Sequence, residues 1–282
     1  MIPSFYEIFS FLDLPDINIL DVGASPIDGK PPYESLKDIN RARVYGFEPN
    51  MEQYQHLIEQ ITEKETFFPY ALGDGNLATL NLCEAPGMTS LLKPDYKILD
   101  YFHSFSEWAK IIDQEVMQTH RLDDIEEIKV IDYIKLDVQG GEMDIIQNGK
   151  NKISSALIIH TEVNFIPFYE GQALFAELDQ ILRELGFYLH TFLPLKKRSF
   201  KPLIIDNNIY SGLNQVLWTD AIYVKKFTDF SQLSSESLIK IAIIMHDLYN
   251  SYDLSLLALK ELDQKEDLDF CEVYLECLSQ KE

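Results

Sequence analysis

Apolar residues follow two rhythms along this chain. Short continuous runs at residues 17–22 (INILDV), 44–47 (VYGF), 66–72, 131–138 (IDYIKLDV) and 156–163 (ALIIHTEV) are bounded by Gly, Pro, Asp or Asn and predict buried strands. Between them the spacing changes to that of helices. Residues 31–39 form a short helical pattern opened by prolines, and Tyr54, Leu57, Ile58 and Ile61 share one stripe over residues 50–61. A further helix follows Gly140 and Gly141 through Ile145 and Ile146. Residues 172–185 carry Leu174, Phe175, Leu178, Ile181, Leu182 and Leu185 at helical spacing and stop at Gly186, a natural C′ residue. Two more strands, 187–192 and 215–224, are joined by a segment rich in Pro and Asn that suits a hairpin. Strands alternating with helices, then closely connected strands, predict an α/β fold: a doubly wound, mostly parallel sheet with an antiparallel final strand.

Residues 73–130 break the rhythm. They hold a polar–apolar alternation at 79–83, a turn at Gly87, Met88, Thr89 and Ser90, an aromatic helix pattern at 101–109 and another alternation at 116–120. This predicts an insertion at about residues 75–128, beside the ligand site of a Rossmann-like domain spanning residues 1–226. From residue 227 to 282, Leu238, Ile241, Ile244 and Met245, then Leu254, Leu256, Leu257 and Leu259, predict a helical extension: two helices and an acidic tail. Two helices are too few for a solenoid. Such an extension is a lid, a brace or a contact through which the chain forms a homo-oligomer.

Charge narrows the choice of partners. The 282 residues carry 24 Lys+Arg against 46 Asp+Glu, a formal net charge of -22, and this field repels phosphate backbones and anionic lipid. Neither a nucleic acid nor a membrane is therefore the expected partner. The cluster Lys196, Lys197, Arg198 and Lys201 runs against this trend and reads as the solvated tip of a hairpin. Three cysteines without CxxC spacing, no leader-like N-terminus and no long apolar span predict a reducing, cytoplasmic setting. The spacing of His, Cys and acids suggests no metal site.

In an open parallel sheet, ligands bind outside the carboxyl ends of the strands. The first strand ends in Asp21, Val22, Gly23, Ala24 and Ser25, a small-residue turn that lets backbone N–H groups approach a ligand. The second ends in Glu48, where an acid can grip the two hydroxyls of a ribose. Either motif alone is weak evidence. A dinucleotide fingerprint would need glycines at positions 25 and 28, where Ser25 and Asp28 stand, so a pyrophosphate cradle is missing. An adenosyl ligand without phosphates needs none, and S-adenosylmethionine suits this pattern better than NAD.

Several blocks occur in a familiar order: Ile19-Leu20-Asp21-Val22-Gly23-Ala24, Gly46-Phe47-Glu48-Pro49, Ala71-Leu72-Gly73-Asp74, Gly87-Met88-Thr89-Ser90-Leu91 and Leu122-Asp123-Asp124. Most distinctive is Asp132-Tyr133-Ile134-Lys135-Leu136-Asp137-Val138-Gln139-Gly140-Gly141-Glu142. Together they resemble the FkbM-type methyltransferases over about residues 17–225. The resemblance implies the class I methyltransferase fold and S-adenosylmethionine as cofactor. It implies that Asp21, Gly23 and Ala24 lie along the methionine part and that Glu48 and Pro49 hold the ribose. Leu72, Gly73 and Asp74 would border the adenine, with Asp137 and Gln139 near the methionine amino group or the reacting centre. Gln139 departs from the family, in which many members carry Glu there.

Methyl transfer to a hydroxyl requires in-line approach, exclusion of water and removal of one proton. Glu162, late in the fifth strand, is the first candidate for the polar group facing the acceptor, with His160 and Asp137 behind it. Lys135 shares a strand face with Asp137. A structural ion pair is the alternative for Lys135 and Asp137, and a hydrogen-bonded core residue is the alternative for His160. Glu142 is placed to complement a helix dipole. The family's activity implies O-methylation of a small molecule or sugar. The competing readings are N-methylation, a nicotinamide oxidoreductase and an adenosyl-binding scaffold without turnover.

Overall fold

Strands form where apolar side chains face both sides of a sheet, and the computed structural model, which describes residues 2–25, 29–59 and 61–279, follows that rule. Asp28, which the dinucleotide argument used, and residues 280–282 of the tail lie outside these. In chain order the elements are α1 (Phe5–Ile8), β1 (Ile17–Val22), α2 (Glu34–Asp38), β2 (Ala42–Phe47), α3 (Met51–Ile58), β3 (Glu65–Phe68), β4 (Leu77–Cys83), α4 (Tyr96–Leu99), α5 (Phe105–Trp108) and β5 (Ile111–Gln118). They continue with β6 (Tyr133–Leu136), α6 (Glu142–Asn148), α7 (Lys150–Ser155), β7 (Ile158–Asn164), α8 (Phe175–Glu184), β8 (Phe187–Phe192), β9 (Lys196–Lys197), β10 (Val216–Lys225), α9 (Ser235–Asp247), α10 (Tyr252–Glu266) and α11 (Phe270–Ser279). The main sheet runs β3-β2-β1-β6-β7-β10-β8, and β9 pairs with β10. Strands β3, β2, β1, β6 and β7 are parallel, and β10 enters antiparallel between β7 and β8. The order reverses between β1 and β6, and that crevice is where an open α/β sheet binds its ligand.

Alternation along the strands divides the interior. Leu20, Val22, Ile134, Leu136 and Ile159 point into the layer shared with α6 and α8. Ile17, Ile19, Tyr133, Ile158 and Ile222 point to the opposite layer, made by α1, α2 and α9–α11. On α9, Leu238, Ile241, Ala242, Ile243, Ile244 and Met245 are all completely buried. Each large apolar side chain sealed in this way contributes about 1.5–3 kcal/mol. The C-terminal helices therefore form one full layer of the core. A buried ion pair adds to this: Lys240 Nζ lies 3.1 Å from Asp132 Oδ2, which also accepts from Asn18 N (2.8 Å) and Nδ2 (2.7 Å).

Five local expectations need correction. The third strand stops at Phe68 rather than continuing to residue 72, because Pro69 has no N–H with which to extend the ladder. The aromatic pattern at 101–109 yields only the single turn α5, which starts after Ser104 in the left-handed region (φ 66). The second alternation begins earlier, at Ile111, and pairs along β4. The supposed acidic tail contains α11, whose Tyr274 is fully buried near the rings of Phe5 and Phe9. The basic cluster is not uniformly solvated either, since the Arg198 guanidinium lies 5.2 Å from the Trp218 ring centroid and 5.4 Å from that of Tyr210. No helix among the described residues is long and apolar enough to cross a membrane.

Candidate active site

Two cavities open at the carboxyl ends of the strands. The first, about 930 Å³ including its mouth, runs from Glu48 past Phe47 and Leu72 to Asp137. Its position follows from two turns. Gly23 N and Ala24 N both donate to Phe47 O at 3.1 Å, folding the chain sharply after β1. Gly23 has φ +81, and a Cβ there would sit 1.9 Å from Asp137 O, so only glycine lets the β1 turn lie against the end of β6. Glu48 N donates to Phe68 O, and Asn50 Oδ1 accepts from Glu52 N and Gln53 N to start α3. The Glu48 carboxylate is left at the cavity rim, 7% exposed, with Oε1 accepting from Asn50 N at 2.8 Å. Burial pushes this carboxyl up to about 7, against the opposing pull of the Asn50 and Ser25 amides.

At the other end lies a charged cluster. Asp21 is almost completely buried; its Oδ2 accepts from Tyr33 OH at 2.6 Å and its Oδ1 from Lys135 Nζ at 3.2 Å. Lys135 Nζ also donates to Gly23 O at 2.9 Å and lies 3.8 Å from Asp137 Oδ2. Burial would lower the lysine, but Asp21 and Asp137 more than offset that, so it stays charged. Its three donors face protein atoms, and its evident work is to tie the β1 turn to β6. Asp137 Oδ1 accepts from Gln139 Nε2 at 3.0 Å, while Gln139 Oε1 accepts from Tyr169 OH at 3.2 Å. Gln139 thus joins Asp137 to the aromatic core of the insertion.

Asp137 and Ser25 also line a second cavity, about 1050 Å³ including its mouth, which contains Asp21, Lys135, His160, Asp220 and Tyr249. The two cavities meet at these shared residues. Of the sequence-predicted residues, Gly23, Glu48, Pro49, Leu72, Asp137 and Gln139 line the first cavity, and Asp21, Ala24, Lys135, Asp137 and His160 line the second. Gly73 and Asp74 line neither; the Asp74 carboxylate turns outward to Asn76 N and Nδ2. Glu162 lies on the His160 face but outside both linings, accepting from Asn164 Nδ2 at 3.1 Å. Burial, together with the charges of Asp137 and Glu142, raises its carboxyl well above the usual range. Glu142 caps the 138–141 turn by accepting from Val138 N and Gly140 N. His120 stacks on Tyr70 at the outer surface.

Sequence reasoning missed Asn50 and Gln53 on the floor of the first cavity, and Asp220 and Tyr249 in the second. Asp220 left one signal, an acid inside the apolar strand VLWTDAIYV. The turn at residues 87–91 does reach the first cavity, through Gly87, Thr89, Ser90 and Leu91, and Ser90 Oγ donates to Gln139 O at 2.6 Å.

These residues fit an adenosyl sulfonium. One carboxylate stands where two ribose hydroxyls can donate to it, apolar walls of Phe47, Leu72 and Leu80 suit a ring, and the glycine cradle leaves backbone close to the ligand. The Asp137 carboxylate at the end of this cavity suits a cation.

Comparison with known proteins gives the same direction. The profile of the methyltransferase FkbM domain matches residues 21–189. The 2-O-methyltransferase NoeI of Sinorhizobium fredii (strain NBRC 101917 / NGR234) is 28% identical over 185 residues, 59% of this chain and 71% of that protein. Among solved structures, the methyltransferase FkbM from Methylobacillus flagellatus KT overlaps 78% of this chain and 46% of its own, at 13% identity and a TM-score of 0.39. The magnesium protoporphyrin IX methyltransferase from Synechocystis PCC 6803 with bound SAM overlaps 78% and 75%, at 13% identity and a TM-score of 0.38. Structural likenesses this loose carry no argument of their own.

Proposed function

We propose, for a chain that belongs to the FkbM methyltransferase family and uses S-adenosylmethionine, that it transfers a methyl group to a hydroxyl oxygen of a small molecule or sugar. The observation that carries this reading is the meeting of two cavities at Ser25 and Asp137, one suited to the nucleoside and the other open to an acceptor. The name of the 2-O-methyltransferase relative supports oxygen as the acceptor atom.

In this reading Glu48 accepts both ribose hydroxyls, Leu72 and Phe47 flank the adenine, and the Gly23 turn and Asp137 hold the methionine end. When bound, S-adenosylmethionine supplies a methyl on a sulfonium whose departure as a neutral thioether drives the transfer. The protein's share is placement and dryness. Gln139 and Lys135 restrain Asp137 from two sides, fixing the carboxylate at the junction of the cavities. Glu162 lies outside the linings of both cavities, and its burial disfavours the ionised form that a base requires.

The test is product analysis. The protein, S-adenosylmethionine and panels of neutral sugars, phenols and amines are incubated, and the methylated atom is identified by NMR. O-methyl product is expected, and Asp137→Asn should abolish it while leaving the fold intact. Methyl found only on nitrogen, or full turnover by Asp137→Asn, would overturn the assignment.

A further inference from the structure

The second cavity draws its walls from two parts of the chain. Asp21, Lys135, Asp137 and His160 belong to the family-matched stretch, residues 21–189, whereas Asp220 on β10 and Tyr249 just past α9 lie beyond it. These later segments surround His160, which is 5% exposed. Its Nδ1 lies 3.0 Å from Tyr249 OH and 3.1 Å from Tyr133 OH, and the two hydroxyls are 2.8 Å apart. On its other side, Nε2 faces Asp220 Oδ1 at 3.7 Å.

The facing Asp220 carboxylate selects among the hydrogen placements open to this trio. Tyr133 is completely buried, so its O–H must donate within the trio. Tyr133 donating to Tyr249, and Tyr249 to Nδ1, satisfies every atom and leaves the imidazole proton on Nε2, pointing at a carboxylate. The opposite tautomer would aim a lone pair at that carboxylate.

Among the described residues three carboxylates line the cavity, and they are not equivalent. Asp21 is taken by Tyr33 and Lys135, and Asp137 by Gln139 and Lys135. Among the described residues Asp220 pairs with the His160 ring alone, and it keeps 38% of its side chain open. We propose that Asp220 is the catalytic residue that binds the acceptor hydroxyl and takes its proton, and that His160, pinned by Tyr133 and Tyr249, is its positioning residue. The acceptor is then a neutral hydroxyl compound, because three carboxylates disfavour a phosphate or carboxylate beside the reacting oxygen. This rests on the O-methylation reading above.

The chemistry balances. As the new O–C bond forms, the acceptor proton passes to the Asp220 carboxylate. The electrons of the broken S–C bond stay with sulfur, so one positive and one negative charge vanish together. Burial would raise Asp220, yet the facing His160 ring and the charges of Lys135 and Lys196 bring it below the usual range. A carboxylate of that strength is base enough, because the hydroxyl becomes strongly acidic as its oxygen is alkylated.

Two measurements on the full chain test the proposal. The first needs no acceptor: ¹⁵N NMR of histidine-labelled protein with S-adenosylhomocysteine bound, the His160 signals being assigned by their loss in His160→Gln. A protonated Nε2 and a bare Nδ1 are expected. Tyr133→Phe or Tyr249→Phe alone should preserve this state, since either hydroxyl reaches Nδ1, and the double variant should give mixed tautomers. The second is turnover on whichever acceptor the panels yield. Asp220→Asn should lower kcat by about 100-fold or more, with KM nearly unchanged and S-adenosylhomocysteine affinity within about twofold by calorimetry. His160→Gln, which keeps a donor toward Asp220, should retain more kcat than His160→Leu. A wild-type ring protonated on Nδ1, or wild-type kcat in Asp220→Asn, overturns the proposal. Even before an acceptor is found, a ring protonated on Nδ1 removes His160 as the residue that positions Asp220. Should methyl appear only on nitrogen with kcat insensitive to Asp220→Asn, the O-methylation reading and the role of Asp220 fall together. Persistence of the Nε2 proton in that case would leave His160 in place as a structural residue only.

Discussion

Replacing Glu48 by Gln should move stability and ligand affinity in opposite directions. A carboxyl raised from its ordinary 4.5 to about 7 is one that the fold disfavours in its ionised form, chiefly because it is buried. The folded protein binds this proton more readily than the unfolded chain does, so stability falls as pH rises from about 4.5 to about 7 and stays depressed above that. Keeping the group ionised at pH 8 costs about 3 kcal/mol. Glutamine keeps an oxygen for the Asn50 amide but never ionises. Ligand-free Glu48→Gln should therefore exceed the wild type by up to about 3 kcal/mol at pH 8, and the gain should shrink toward zero near pH 4. Urea denaturation at both pH values reads this difference. Binding reverses the sign, since ribose hydroxyls donate best to a carboxylate, and the variant should lose about 1.5–3 kcal/mol of S-adenosylhomocysteine affinity. Wild-type affinity should also fall about tenfold from pH 8 to pH 6 as Glu48 takes up its proton, with that component absent from the variant. A ligand-free variant less stable than the wild type at pH 8, or one that binds equally well, would refute the reasoning.

Other substitutions probe the scaffold. Gly23→Ala should abolish calorimetric binding and lower the melting temperature, because its Cβ would collide with Asp137 O in a backbone region that disfavours side chains. Lys240→Met should cost about 3 kcal/mol in urea denaturation by leaving Asp132 without its buried cation; a loss under about 0.5 kcal/mol would place the pair among bonds that merely balance desolvation. Truncation after residue 228 should give insoluble protein, since it strips an apolar layer from Ile17, Ile19, Tyr133 and Ile222. A soluble fragment that still binds S-adenosylhomocysteine would show instead that the extension is accessory.

The sheet was legible because its central strands are apolar on both faces, which leaves a continuous run that few other arrangements explain. Glu48 and Asp137 were legible because each is the first polar side chain past or at such a run. Asp74 follows a strand-like run too, but Asn76 draws its carboxylate outward into a local turn, a choice made by two atoms that no periodicity records. Helix α11 was hidden by its acidic neighbours, although Phe270, Val273 and Tyr274 mark its buried side. Asp220 and Tyr249 were out of reach for another reason. Only the antiparallel register of β10, which sets Ile222 opposite His160 and Asp220 opposite Glu162, and the packing of α9 bring them to a histidine 60 and 89 residues earlier in the chain.

The ion pair between Lys240 and Asp132 has a kinetic consequence. A helix anchored by a desolvated charge at one point and a continuous hydrophobic seam along its length cannot swing aside at each catalytic cycle. The wall that carries Tyr249 is thus a fixed jamb of the second cavity, which opens to solvent. Acceptors long enough to protrude would leave their far end in solvent there, and selectivity would be exercised only on the portion that fits inside.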